Sequence, residues 1–203
     1  MVEAAVGHRR YGGGADGLPR MGRALRPCLY NAAAMHWTDA IVDGLRAHEV
    51  WTVPYVPDAA GWQVVSKLEA DPAFTTVPST REEEAVGIAS GVYAAGGRAA
   101  VFMQSSGFGN TINALAQLCI VNRISVPLFI GMRGGLGEFN AAQIPPAQAV
   151  VPILDTLGIP HYAPQREEDV AALVDGALQL CYAGRAPVAV LLYSSLVGAK
   201  RAT

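Results

Sequence analysis

Three apolar runs, Ala99 to Met103, Val126 to Ile130 and Val188 to Tyr193, restrict the fold more than any other feature of the chain. Each is strand-sized and uncharged, and stretches of helical length lie between them. A strand built from such a run carries apolar side chains on both faces and must sit in a sheet that is covered on both sides. Parallel strands joined by helical, right-handed crossovers meet that demand. The periodicity predicts a helix capped by Thr38 with Ile41, Val42 and Leu45 on one face, then a strand from Val50 to Val53 that Pro54 terminates. A helix over 60–70 and a strand over 74–77 follow. Thr80 and Glu83 form a capping box for a helix that runs to Ala95 and ends at the Gly96-Gly97 pair. Next come the strand at 99–103, a helix from Gly109 to Val121, a strand from Val126 to Gly131 and a glycine-rich loop. Helix 147–157, a short strand around His161, helix 167–182 and strand 188–193 complete the pattern. The expected fold class is α/β: a single doubly wound domain around a six-stranded, mainly parallel sheet.

With 203 residues, 51% of them apolar and 16% charged, the chain is long and apolar enough for one globular core. Residues 1–34 differ. They hold Arg9, Arg10, Arg20, Arg23 and Arg26, a Gly12-Gly13-Gly14 run and no apolar periodicity, so they read as a disordered extension, with Met35 a candidate start. The domain is expected over 35–197, with 198–203 a tail. A net charge of −2 without a Lys/Arg cluster after residue 34 argues against nucleic-acid binding. The apolar runs fall far short of the ~20 residues that span a bilayer, so no membrane association is expected. Cys28, Cys119 and Cys181 show neither CxxC spacing nor a ligand cluster, so no metal site is expected and the thiols read as buried groups in a reducing cytoplasm. His36, His48 and His161 form no triad or metal pattern and read as structural.

In doubly wound sheets, ligands bind beyond the carboxyl ends of the strands. That directs attention to 54–59, 78–84 and 104–113. In the second of these, Glu82, Glu83 and Glu84 open a helix, where a dipole stabilises acids without any function. In the third, the glycines of Gly107-Phe108-Gly109-Asn110 invite a phosphate-binding reading. The dinucleotide fingerprint would need a further glycine where Ile112 stands, and no P-loop occurs. The glycines equally suit close packing against a flat ring or a partner chain, with Gln104, Ser105 and Asn110 as polar contacts, or a plain helix entry. Arg133 and Arg81 suit either anion recognition or surface pairing. Asp58, after the first strand, also suits a helix cap.

The spacing of Glu82, Ala85, Ala89 and Gly91 resembles the cofactor-glutamate helix of thiamine-diphosphate enzymes, whose glutamate precedes a helix glycine by nine residues. The likeness continues through 101–118, 129–134 and 141–164, covers about residues 36 to 195, and is to the alpha subunits of sulfopyruvate decarboxylases and the amino-terminal part of phosphonopyruvate decarboxylases. It implies a pyrimidine-binding (PYR) domain in which Glu82 is the catalytic carboxylate at N1′ of the aminopyrimidine. Glu82, Pro54, Gln104, Ser105, Gly107 and Asn110 would face the cofactor, and Tyr55, Arg81, Asn113 and Arg133 the substrate. The resemblance further implies a 2-oxoacid substrate and a heteromer, α2β2 or larger. Its beta subunit would bring the pyrophosphate-binding (PP) domain, with a GDG and a downstream asparagine that hold Mg2+ and the diphosphate. This sequence contains no GDG. A carboligating relative, or a PYR-like subunit kept for structure or regulation, are the alternatives.

Overall fold

The computed structural model describes residues 35–198. The expected extension 1–34 with Cys28, and all of the tail but its first residue, lie outside the described residues. The order of elements is α1 (Trp37–Ala47), β1 (Thr52–Tyr55), α2 (Trp62–Glu69), β2 (Thr75–Pro78), α3 (Glu82–Ala94) and β3 (Val101–Gln104). A segmented helix follows, made of α4 (Ser105–Phe108), a 3-10 turn (Gly109–Thr111), α5 (Ile112–Ala114) and a π-helical stretch (Leu115–Ile120). Then come β4 (Pro127–Gly131), α6 (Ile144–Leu157), β5 (His161–Tyr162), α7 (Glu167–Gly184), β6 (Val188–Leu192) and α8 (Ser194–Val197).

The six strands form one sheet in the order β2-β1-β3-β4-β6-β5, and every pairing is parallel. Alternation along the inner strands divides the core in two. Val53, Tyr55, Phe102, Phe129, Val188 and Val190 pack under α1, α2 and α7. Val101, Met103, Leu128, Ile130, Ala189 and Leu191 pack under α3, the segmented helix and α6. β4 and β6 are buried at every position, as their uncharged sequences require. Phe102 and Phe129 stack across β3 and β4 with centroids 4.6 Å apart and planes within 5°. Both are 1% exposed. Phe129→Ala is expected to cost ~3–5 kcal/mol through lost contact and the cavity it leaves. Urea unfolding should show a lowered midpoint at unchanged slope.

Local details differ from the sequence expectations for identifiable reasons. α1 is capped by His36, whose Nδ1 accepts from the Thr38 N–H, because the helix begins one residue ahead of Thr38 at Trp37. Pro54 does not end β1 but lies inside it, paired with Val77. Thr52 O accepts from Ala100 N, and Val56 N donates to Phe102 O, so the even-numbered peptides of β1 face β3. Pro54 has no N–H to offer there. The β1–β3 ladder accordingly holds only Tyr55↔Phe102 and the isolated bridge Thr52↔Ala99. The capping box is displaced by one residue: Arg81 is the N-cap of α3, and Glu84, not Glu83, reaches back to Thr80. The helix expected from Gly109 begins at Ser105, directly after β3.

The chain runs from β1 outward to β2, then returns to place β3 on the other side of β1. α2, which follows β1, packs on one face of the sheet, while α4, which follows β3, packs on the other. Their departing loops open a crevice at the carboxyl edge.

Candidate active site

β2 ends at Pro78, and Ser79 donates its N–H to Tyr55 O at 2.8 Å, which turns the chain back over the edge of the sheet. Arg81 is extended (φ −147°, ψ 155°) and launches α3 with three acids in its first turn. Two of them are engaged locally. Glu84 accepts from the Thr80 N–H at 2.7 Å and the Thr80 hydroxyl at 2.6 Å, and the hydroxyl bond above all holds its carboxyl below the usual range. Glu83 pairs with Arg81 Nε at 2.6 Å. Glu82 turns inward instead and is only 9% exposed.

The carboxylate of Glu82 lies on the backbone of Gly107. A methyl group there would stand 1.8 Å from Oε1 and 2.0 Å from Cδ, so only glycine leaves room. Asn110 Nδ2 donates to the other oxygen, Oε2, at 3.1 Å. Glu82, Gly107 and Asn110, far apart in the chain, thus meet at the head of α3 on the face covered by the segmented helix.

A second network adjoins this cluster. Ser105 is buried, and its Oγ accepts from the Arg133 N–H at 3.1 Å. Gln104 donates through Nε2 to Gln143 Oε1 at 3.1 Å and to Ser106 Oγ at 2.5 Å. The Arg133 guanidinium is taken up by Glu138, Nη2 to Oε1 at 2.6 Å and Nε to Oε2 at 2.7 Å. Glu138 also accepts from the N–H groups of Gly134 and Asn140, and the Arg133 guanidinium foremost brings its carboxyl down to about 2.

The other residues singled out from sequence stand apart. Pro54 is buried within β1, on the α3 side by alternation. Tyr55 points into the opposite core layer, where its hydroxyl donates to Glu69 Oε1 at 2.7 Å, and burial pushes its own pKa up to about 12. Arg81 is largely exposed. Asn113 is exposed three residues beyond Asn110 and accepts from Gln117 Nε2 at 2.7 Å. Asp58 does not cap α2, whose N-cap is Gly61; its Oδ1 instead closes the turn before the helix, accepting from Ala60 N at 2.6 Å and Gly61 N at 2.9 Å. Its Oδ2 is buried without a partner, and burial raises its carboxyl above the usual range. His36 caps α1, and His48 Nε2 pairs with Asp175 Oδ1 at 2.7 Å. Cys119 and Cys181 are buried thiols. Glu138 and Gln143 went unnoticed in the sequence. Their only signal is position, an acid closing a glycine-rich loop and an amide at the entrance to α6.

The described residues contain no group of three or more His, Cys, Asp or Glu side chains placed to hold a metal ion. Among them, no helix is long and apolar enough to cross a membrane.

Residues 35–134 match the family model described as thiamine pyrophosphate enzyme, N-terminal TPP binding domain. The chain is 35% identical over 158 residues to sulfopyruvate decarboxylase subunit alpha of Methanococcus maripaludis, an alignment covering 78% of this chain and 95% of that subunit. It belongs to the sulfopyruvate decarboxylase alpha-subunit family. A further relative, the sulfopyruvate decarboxylase of Methanosarcina acetivorans, is 39% identical over 88 residues, which are 43% of this chain but 23% of that protein. The fold itself recurs in a 2-oxoglutarate:ferredoxin oxidoreductase from Magnetococcus marinus, with a TM-score of 0.57 at 14% identity over 80% of this chain and 29% of the other. Within the sulfopyruvate decarboxylase alpha-subunit family, the cluster at Glu82 falls inside the matched thiamine pyrophosphate enzyme domain.

Proposed function

We propose that this chain is the PYR-domain subunit, spanning residues 35–197, of a two-chain thiamine-diphosphate-dependent decarboxylase. Its substrate is sulfopyruvate or a similarly anionic 3-substituted pyruvate, and it works in the cytoplasm, where Cys119 and Cys181 stay reduced. The observation that carries this reading is Glu82. An inward-facing carboxylate with a single hydrogen-bond donor is costly to bury, and helix capping does not require it. Gly107 has no side chain where the Glu82 carboxylate lies, so the carboxylate keeps a fixed place at the head of α3, as a group that must meet one atom of a bound ring requires.

Thiamine diphosphate, when bound, supplies the electron sink for loss of carbon dioxide from a 2-oxoacid. This chain's part is orientation and proton traffic. Glu82 holds or yields a proton at its carboxylate where N1′ of the aminopyrimidine would sit. Asn110 fixes Oε2 and so the direction in which Oε1 points. Gln104 and Ser105 shape the neighbouring wall, and Pro54 backs it from within β1 on the same face of the sheet.

Of the four residues considered for the substrate, Arg133 is committed to Glu138 and Tyr55 lies in the other core layer. Arg81 and Asn113 remain exposed near the head of α3 and on α5. Magnesium and the diphosphate are assigned to a beta subunit with a PP domain, in an α2β2 or larger assembly. The absence of GDG from this sequence supports that, and so does the small share of the Methanosarcina protein that this chain matches. Carboligation is the competing chemistry, and a non-catalytic PYR-like subunit the competing role; the buried carboxylate speaks against the latter. Co-expression with an adjacent reading frame encoding GDG, followed by a 2-oxoacid screen for carbon dioxide release, tests the proposal. Turnover of an anionic 3-substituted pyruvate supports it, and a stable complex inert toward every 2-oxoacid contradicts it.

A further inference from the structure

The loop between β4 and α6 has a composition that suggests freedom and a hydrogen-bond pattern that removes it. Gly134, Gly135 and Gly137 make Arg133 to Asn140 a flexible sequence, with Gly134 at φ +75° and Gly137 at φ +86°. Glu138 gathers it into one body. Its side chain is 5% exposed, and it accepts from Arg133 Nε and Nη2, Gly134 N and Asn140 N, so both ends of the loop are tied to one carboxylate. The base is fixed to the wall of the site as well, since Arg133 N donates to Ser105 Oγ and Arg133 Nη1 reaches Gln104 Oε1 at 3.4 Å.

What this clamp presents is apolar. Leu136 is fully exposed at 102%, and Phe139 is 53% exposed, its ring centre 5.9 Å from the Arg133 guanidinium. Both residues lie at the border of a cleft of about 250 Å³ between this loop, the start of α2 and α8. Because the clamp has already ordered the loop backbone, a partner that covers Leu136 has only the side chain left to order. An aliphatic or aromatic anchor enclosed in a partner's pocket is what the centre of a binding interface needs. The two charges that the loop itself carries, Arg133 and Glu138, are satisfied by each other.

We propose that the 133–140 loop is a docking knob for the subunit that completes the cofactor site, with Leu136 the side chain that the partner encloses. This rests on the reading of the chain as one half of a split site. The occupant follows from continuity: the loop springs from the same carboxyl edge as the Glu82 cluster and is hydrogen-bonded to Gln104 and Ser105, so a chain that closes over that cluster reaches Leu136 next. A second copy of this chain would bring no GDG to the edge and would leave the site incomplete.

The test uses the co-expressed pair. Leu136→Asp is expected to weaken pairing by at least ~30-fold, the scale of a hot-spot residue, as read by sedimentation at graded concentrations. The melting temperature of the isolated chain should not change, because Leu136 touches little of it. Leu180→Asp, at a 41% exposed leucine on α7, serves as the control and should pair normally. Normal pairing by Leu136→Asp, or equal loss in both variants, overturns the proposal while leaving the decarboxylase reading intact. Failure of the wild-type chain to pair with any GDG-bearing chain defeats that reading itself.

Discussion

Glu82→Gln is expected to lower turnover of the assembled enzyme by at least ~10²-fold, the low end of what general acid-base catalysis contributes. The amide keeps the shape and retains an oxygen that can accept from Asn110, so the head of α3 should fold as before. It cannot exchange a proton in the way a carboxylate does. Glu84→Gln provides the contrast. That side chain is occupied by Thr80 at the surface, so its loss should reduce helix capping and hardly touch turnover. Steady-state rates on the same co-purified complex compare the two directly, and near-normal turnover by Glu82→Gln would remove the assignment.

Gly107→Ala should also lower turnover, through a different route. Gly107 is not among the glycines with positive φ, so its backbone accepts alanine readily, and alanine favours a helical position by ~1 kcal/mol. What alanine cannot share is the space of the Glu82 carboxylate, with Oε1 1.8 Å and Cγ 2.6 Å from the new methyl group. The colliding atoms belong to the far end of a side chain that can swing away. The protein is therefore expected to keep its melting temperature within a few degrees while turnover falls by ~10-fold or more, since misplacing a catalytic group by about 1 Å can cost ~10²-fold. A large loss of stability with unchanged turnover per folded complex would show that Gly107 serves packing alone.

The sheet was legible because β3, β4 and β6 are uncharged runs that can only lie between two layers, and their two-residue alternation divides cleanly between the two core faces. Short-range rules served less well. Pro54 reads as a strand end, yet it sits inside β1 because its missing N–H faces β3 and thins only that ladder, while the pairing with β2 continues through it. Thr80 and Glu83 have capping-box spacing, but the extended backbone of Arg81 starts the helix one residue later and hands the contact to Glu84. In the candidate site, the sequence singles out Glu82 by its spacing to Gly91, a glycine that faces open space in this chain. The glycine whose smallness has a visible reason is Gly107, whose meeting with Glu82 depends on tertiary structure. Tyr55 and Arg133 are chemically suited to a substrate site, and only the fold shows them engaged by Glu69 and Glu138. Periodicity cannot report which polar side chains pair across distant loops.

The central claim is that this chain presents only the pyrimidine half of a cofactor site. Titration calorimetry with thiamine diphosphate and magnesium, on the isolated chain and on the co-purified complex, addresses it directly. Clear binding by the complex with weak or no binding by the chain alone is the predicted result, and tight magnesium-dependent binding by the isolated chain would contradict it.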